Sequence, residues 1–173
     1  MTKVERLEII EPQAWHGVSC AVRLDGTSPA EEFMTQLREG AWEEDPAFGS
    51  VPSDEQVEDY AKFLHKMSFL AMHGEPERRS DVNYLKDGVW EFKVADKRVA
   101  FYDTDGCGNW IPKGKILDIR DSPDPESPCW WFPVMDIHLR LLNAWPKVSQ
   151  RADPEDVNTA VLIAGEDVSH DGQ

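Results

Sequence analysis

The sequence predicts an α+β domain in which N-terminal helices pack on a small, mainly antiparallel sheet and a C-terminal helix closes the chain. Three observations carry that expectation. Val89–Val94 and Arg98–Tyr102 alternate apolar and polar residues at the period of a strand. Val57, Tyr60, Phe63, Leu64, Met67 and Leu70 recur at helical spacing. Asp153-Pro154-Glu155-Asp156 reads as a helix start, with an aspartate cap, proline in the first turn and acids behind it.

The elements follow in order. Leu7, Ile9 and Ile10, then Val18, Cys20, Val22 and Leu24, flank Pro12 and suggest one or two short strands. Ser28-Pro29 opens a helix that runs to about Gly40, and residues 43–53 form a loop. Ser53 and Gln56 resemble a capping box ahead of a helix ending near Gly74. Its Met and aromatic stripe fits core packing better than a binding groove, and His65 and His73 fall on its surface. Residues 75–81 are a polar connector.

A hairpin follows. With Asp96-Lys97 as the turn, Val94 faces Val99 and Phe92 faces Phe101, so Trp90, Phe92, Val94, Val99 and Phe101 share an apolar face. Glu91, Lys93, Arg98, Ala100 and Tyr102 share the other. Residues 103–131, rich in Gly, Pro and Asp, read as an insertion with one strand at Lys115–Ile119. Ile137–Leu142 is a further strand, with His138 and Arg140 on its polar face. The last helix ends near Gly165, and residues 166–173 form a frayed tail. One domain over 1–173 is expected, because nothing marks a second core.

Composition narrows the function. The three cysteines, Cys20, Cys107 and Cys129, lack CxxC spacing, and the five histidines are scattered, so neither a disulfide framework nor a metal site is expected. No phosphate loop, dinucleotide fingerprint or HExxH motif is present, so no cofactor is expected either. No apolar run reaches the ~20 residues that span a bilayer, and no signal-peptide core follows Met1; a soluble, cytoplasmic protein with no membrane partner is the expectation. The net charge of −15 argues against a broadly basic nucleic-acid surface. Residues 84–151, however, hold ten Lys/Arg against ten Asp/Glu, so the acidity lies elsewhere and any anion site is local.

Over roughly half of the chain, residues 84–165, a family pattern appears. Leu85-Lys86-Asp87-Gly88-Val89-Trp90-Glu91-Phe92-Lys93, then Lys97-Arg98-Val99-Ala100-Phe101-Tyr102, resembles the hairpin of HigB-like and phage-derived toxins of the RelE/ParE superfamily. Leu141-Leu142-Asn143-Ala144-Trp145-Pro146-Lys147, then Asp153-Pro154-Glu155 and Ala160, is similar to that family's closing segment. The resemblance implies the toxin of a toxin–antitoxin system, a ribosome-dependent, metal-independent mRNA endonuclease partnered by a helix-turn-helix antitoxin, the ribosome and mRNA. In such enzymes the ribose 2′-hydroxyl attacks the adjacent phosphate, which calls for cations at the phosphorane and groups that move protons.

Arg98 matches the family's hairpin arginine and offers a bidentate fork; Lys147 matches a retained lysine. Lys93 shares the polar face in place of a second arginine. His138 or Tyr102 is a candidate proton carrier, Glu91 a base or orienting group, and Arg140 and Arg151 are candidate RNA contacts. The family's closing histidine is Asn143 here, its phenylalanine is Trp145, and Pro146 replaces one lysine of a pair. Two other readings stand beside this one: a non-catalytic protein-binding module of the same fold, or a gyrase-inhibiting superfamily member. Glu91, Lys93, Arg98 and Arg140 on a solvent-facing sheet would equally make ordinary cross-strand ion pairs. Trp130-Trp131-Phe132 would stack on bases or pack the insertion onto the domain.

Overall fold

The computed structural model describes residues 4–45, 53–118, 129–147 and 152–172. Strands β1 (Glu8–Ile10) and β2 (Gly17–Cys20) lead into helices α1 (Pro29–Glu39) and α2 (Ser53–His73). There follow β3 (Val82–Lys86), β4 (Val89–Val94), β5 (Lys97–Thr104), β6 (Ile116–Asp118), β7 (Cys129–Trp131), β8 (His138–Pro146) and helix α3 (Pro154–Asp171). Six strands make one sheet in the order β1-β2-β8-β5-β4-β3, while β6 and β7 pair separately. The fold is thus α+β with a mainly antiparallel sheet; β2 beside β8 is the parallel pair.

Local chemistry explains the helices. Ser28 Oγ accepts from Glu31 N and donates to Ala21 O, tying the start of α1 to the end of β2. Gly40, at φ +72°, turns the chain out of α1. Asp153 caps α3 by accepting from Glu155 N. The Gln56 side chain bonds Trp42 N and Trp42 O, each at 2.9 Å, and so pins the turn after α1 to α2, while the Ser53 half of the expected capping box lies outside the described side chains.

The sheet is buried on both faces. On one, Phe33, Met34, Leu37, Phe63, Met67 and Leu70 of α1 and α2 pack against Trp90, Phe92, Phe101, Leu139 and Leu141. On the other, Ala160, Ile163 and Ala164 of α3 cover Ala100, Tyr102, Leu142 and Trp145. The expected apolar face of the hairpin is present, but its partner face is no solvent-facing surface. Glu91, Arg98 and Arg140 are 5%, 7% and 5% exposed, because α3 lies over that side.

Several boundaries differ from expectation. The hairpin turn is Ala95-Asp96, which pairs Lys93 with Arg98, Phe92 with Val99 and Trp90 with Phe101. The shift is two residues, so the face assignments survive. Asp87-Gly88 makes a second turn, with φ of +52° and +86°, that adds β3 beside β4. Asp103 and Thr104, assigned to the insertion, complete β5. The strand expected at Lys115–Ile119 is Ile116–Asp118, with Ile119 outside the described residues. Ile137 precedes β8 and is 59% exposed. The supposed tail is helical through Asp171, because Glu166, Asp167 and Asp171 all bond to the body of the domain. Trp130 and Phe132 pack on Trp90, at 6.0 and 5.0 Å between ring centroids. Among the described residues, no helix is long and apolar enough to cross a membrane.

Candidate active-site cleft

The α3 side of the sheet opens near the Ala95-Asp96 turn into a cleft of about 480 Å³. Cross-strand register builds it. Asn83 on β3 stands opposite Glu91 on β4. Two residues along β4, Lys93 stands opposite Arg98 on β5, which in turn stands opposite Trp145 on β8. Lys147 follows β8, its N–H donating to Asp96 O at 2.6 Å, and the start of α3 supplies the far wall through Pro154, Val157 and Asn158.

Lys93, Arg98 and Lys147 therefore surround one carboxylate. The Arg98 guanidinium is anchored by its own turn, donating to Ala95 O and Lys97 O at 2.9 Å each. Its Nε lies 3.8 Å from Glu91 Oε1, close enough for an ion pair and too far for a hydrogen bond. Arg98 Nε, Glu91 Oε2 and Trp145 Nε1 are buried with no hydrogen-bond partner among the described residues. Such atoms are costly to leave unpaired, so three around one cleft suit a polar ligand.

Burial sets the proton chemistry. It pushes the Glu91 carboxyl above its ordinary range, against the opposing pull of Arg98, Asn83, Lys93 and Lys147. Burial, reinforced by Arg98 and Lys147, holds the Lys93 ammonium below its usual value. An acid pushed up and an amine pushed down, flanking an arginine, can exchange protons beside a bound anion.

The other expected site residues lie elsewhere. Along β5 alone, Tyr102 is four residues beyond Arg98, about 13 Å of strand. Tyr102 is fully buried and donates its hydroxyl to Asp167 Oδ2, which burial and that carboxylate make hard to ionise. Arg140 pairs with Asp167 at 2.9 Å and with Asp171, while Arg6 Nε bonds Asp167 Oδ1 at 2.8 Å. Tyr102 and Arg140 thus share the Asp167 carboxylate, the first through its hydroxyl and the second through an ion pair, away from the cleft. His138 lines a separate hollow with Arg6, Arg140 and Asp171, and burial and Arg140 keep its ring from protonating readily. Arg151 lies outside the described residues. The cleft thus keeps Glu91, Lys93, Arg98 and Lys147 and loses His138, Tyr102 and Arg140.

Sequence reading missed Asn83 and Asp167. The Asp87-Gly88 pair was the available signal for the first: a hairpin turn there puts a strand over 82–86 and Asn83 across from Glu91. For the second, Ala160, Ile163, Ala164, Asp167 and Asp171 continue one helical face past Gly165. Among the described residues no group of three His, Cys, Asp or Glu is placed to hold a metal ion. No protein-family model matches the chain, and no curated protein matches it.

Proposed function

We propose that the chain is a RelE/HigB-like toxin whose cleft cuts RNA without a metal. The observation that carries this reading is the convergence of Lys93, Arg98 and Lys147 on a buried carboxylate in a protein of net charge −15. In a chain so acidic, a cationic cleft selects for an anion at one place. Arg98 and Lys147 bind the non-bridging phosphate oxygens. Glu91 takes the proton of the ribose 2′-hydroxyl as that oxygen attacks phosphorus. The 5′-oxygen leaves with a proton from the Lys93 ammonium, giving a 2′,3′-cyclic phosphate and a free 5′-hydroxyl. A carboxyl whose proton affinity is raised and an amine whose proton affinity is lowered make both transfers accessible near neutral pH. The element order, with helices ahead of the hairpin, strand and last helix, is compatible with the family resemblance.

The test is mRNA cleavage on translating ribosomes, with growth followed after induction. Wild type is expected to cut and to arrest growth, and Arg98→Ala to do neither. Intact mRNA at stoichiometric protein, with Arg98→Ala and wild type equally harmless, rejects the reading. A non-catalytic binding role is favoured in that case by one observation: the acidic excess lies outside the cleft region, which holds ten acids and ten bases over residues 84–151.

A further inference from the structure

On the α1 side of the sheet lies a second hollow, of about 280 Å³, lined by Glu32, Phe33, Trp42, Glu43, Glu44 and Asn143 among others. Its position follows from a defect in the strand ladder. Val99 pairs with Ala144 and Phe101 with Leu141, so Leu142 and Asn143 both stand opposite Ala100. That is a β-bulge, the irregularity that re-aims a side chain. β2 ends its pairing at Leu141, so among the described residues β8 has, from Leu142 onward, a strand neighbour on the β5 side only. The bulge therefore sits at an open stretch of sheet edge, with α1 and residues 42–44 beside it.

The lining has the chemistry of a cation receptor. Glu32, Glu43 and Glu44 are exposed carboxylates, and none pairs with a cation among the described residues. Glu44 also faces the acids at the start of α3: the Asp156 carboxyl is pushed up first by burial, then by Asp153, Glu155 and Glu44. Phe33 and Trp42 form the apolar wall, packed edge to face at 4.7 Å between centroids. Asn143 is the independent sign of a ligand. It is 8% exposed, its Nδ2 donates to Asp156 O at 3.2 Å, and its Oδ1 is buried with no hydrogen-bond partner among the described residues. An enclosed amide oxygen without a donor is costly, and a cation bearing N–H groups removes that cost.

We infer that this hollow binds a guanidinium group, supplied by an arginine of a basic protein segment. A guanidinium presents five donors in a flat fork, suiting several carboxylates and an amide oxygen at once, and its face packs on aromatic rings. A lysine ammonium is compact and strongly hydrated, and would satisfy fewer of these groups. The charge of −15 argues for a macromolecular source, because a long-range acidic field draws in a basic segment more strongly than a single small cation. This site stands apart from the RNA cleft and does not depend on the reading of it.

The experiment is an NMR titration with a hexa-arginine peptide, a hexa-lysine peptide and free arginine, following the Trp42 indole and the Asn143 side-chain amide. Hexa-arginine is expected to shift both resonances and to bind more tightly than hexa-lysine; free arginine shifts the same pair, but only at much higher concentration. The combined variant Glu32→Gln, Glu43→Gln, Glu44→Gln is expected to weaken hexa-arginine about tenfold. A control of equal charge change at the exposed acids Glu5, Glu11 and Glu75, each to Gln, stays within about twofold of wild type. Since the substituted glutamates are exposed, both variants keep the fold, which the amide spectrum checks directly. Equal weakening in both variants, unmoved Trp42 and Asn143 signals, or free arginine binding as tightly as the peptide each overturns the proposal.

Discussion

Tyr102 on β5 donates its hydroxyl to Asp167 on α3 across 65 residues of sequence, and both side chains are wholly buried. That carboxylate also accepts from Arg6, Arg140 and the Val22 N–H, so one acid ties the N-terminal segment, two strands and the last helix together. Removing one member of a buried charged network leaves the others desolvated and unpaired, typically at about 3–5 kcal/mol. Asp167→Asn is expected to lose stability on that scale, read as a lower denaturant midpoint. Tyr102→Phe, which deletes one hydroxyl, costs about 1–3 kcal/mol.

Acid sensitivity follows from the same group. Burial alone would raise the Asp167 carboxyl, but Arg140, Tyr102, the Val22 N–H and Arg6 outweigh it and hold it below its ordinary 3.8. The folded state therefore binds this proton less tightly than the unfolded chain. Its contribution is complete above that ordinary value and is lost as pH falls through the lower folded one. Stability of wild type and Asp167→Asn, measured at descending pH, is expected to converge below pH 3.8. A constant gap rules this account out.

The β4–β5 turn carries strain that can be relieved. Ala95 sits at φ +52°, where a Cβ crowds the following carbonyl at about 1–2 kcal/mol per residue. Ala95→Gly is expected to gain about 1 kcal/mol, less the added freedom of the unfolded chain. At Gly88 the opposite holds. It lies at φ +86°, and a Cβ there would stand 2.6 Å from Pro112 Cα. Gly88→Ala should lower the thermal midpoint, while Ala95→Gly raises it.

These turns also mark how far the sequence could be read. Alternation in Val89–Val94 and Arg98–Tyr102 placed each side chain on its face, because a register error of two residues conserves parity. The caps at Ser28 and Asp153 were local signals and were legible. What alternation could not show is that Glu91 and Arg98 are buried, since charged residues on one face ordinarily mean water there. That burial comes from α3, which is held by contacts more than a hundred residues away in sequence, such as Arg6 with Asp167. Likewise Tyr102 carried the residue type of a proton carrier and Arg140 that of an RNA contact, and only the tertiary structure shows that both bond to Asp167.

Lys97 is a structural cation beside the catalytic candidates. It is 3% exposed and lies 2.8 Å from both Asp45 and Asp59. Lys97→Met leaves two largely buried carboxylates without this partner and is expected to cost about 3–5 kcal/mol. A loss of that size in denaturant midpoint, with RNA cleavage per folded molecule unchanged, separates Lys97 from its neighbour Arg98. Loss of cleavage with full stability would instead place Lys97 in the chemistry.

Glu91→Gln should separate stability from activity in the opposite sense. Burial raises the Glu91 carboxyl in the folded state, so the fold favours its protonated form. Its contribution is fully present below the ordinary value of 4.5 and is lost as pH rises through the higher folded one. Above that range an ionised Glu91 costs stability, which a neutral glutamine avoids. Near neutral pH, then, Glu91→Gln is expected to be at least as stable as wild type, despite losing the ion pair 3.8 Å from Arg98. As a base in RNA cleavage the glutamine is inert, and loss of general-base catalysis typically costs about 10²–10⁴-fold in rate. A stable Glu91→Gln protein that still cleaves mRNA at the wild-type rate removes Glu91 from the mechanism, while one that cleaves slowly at every pH locates the base.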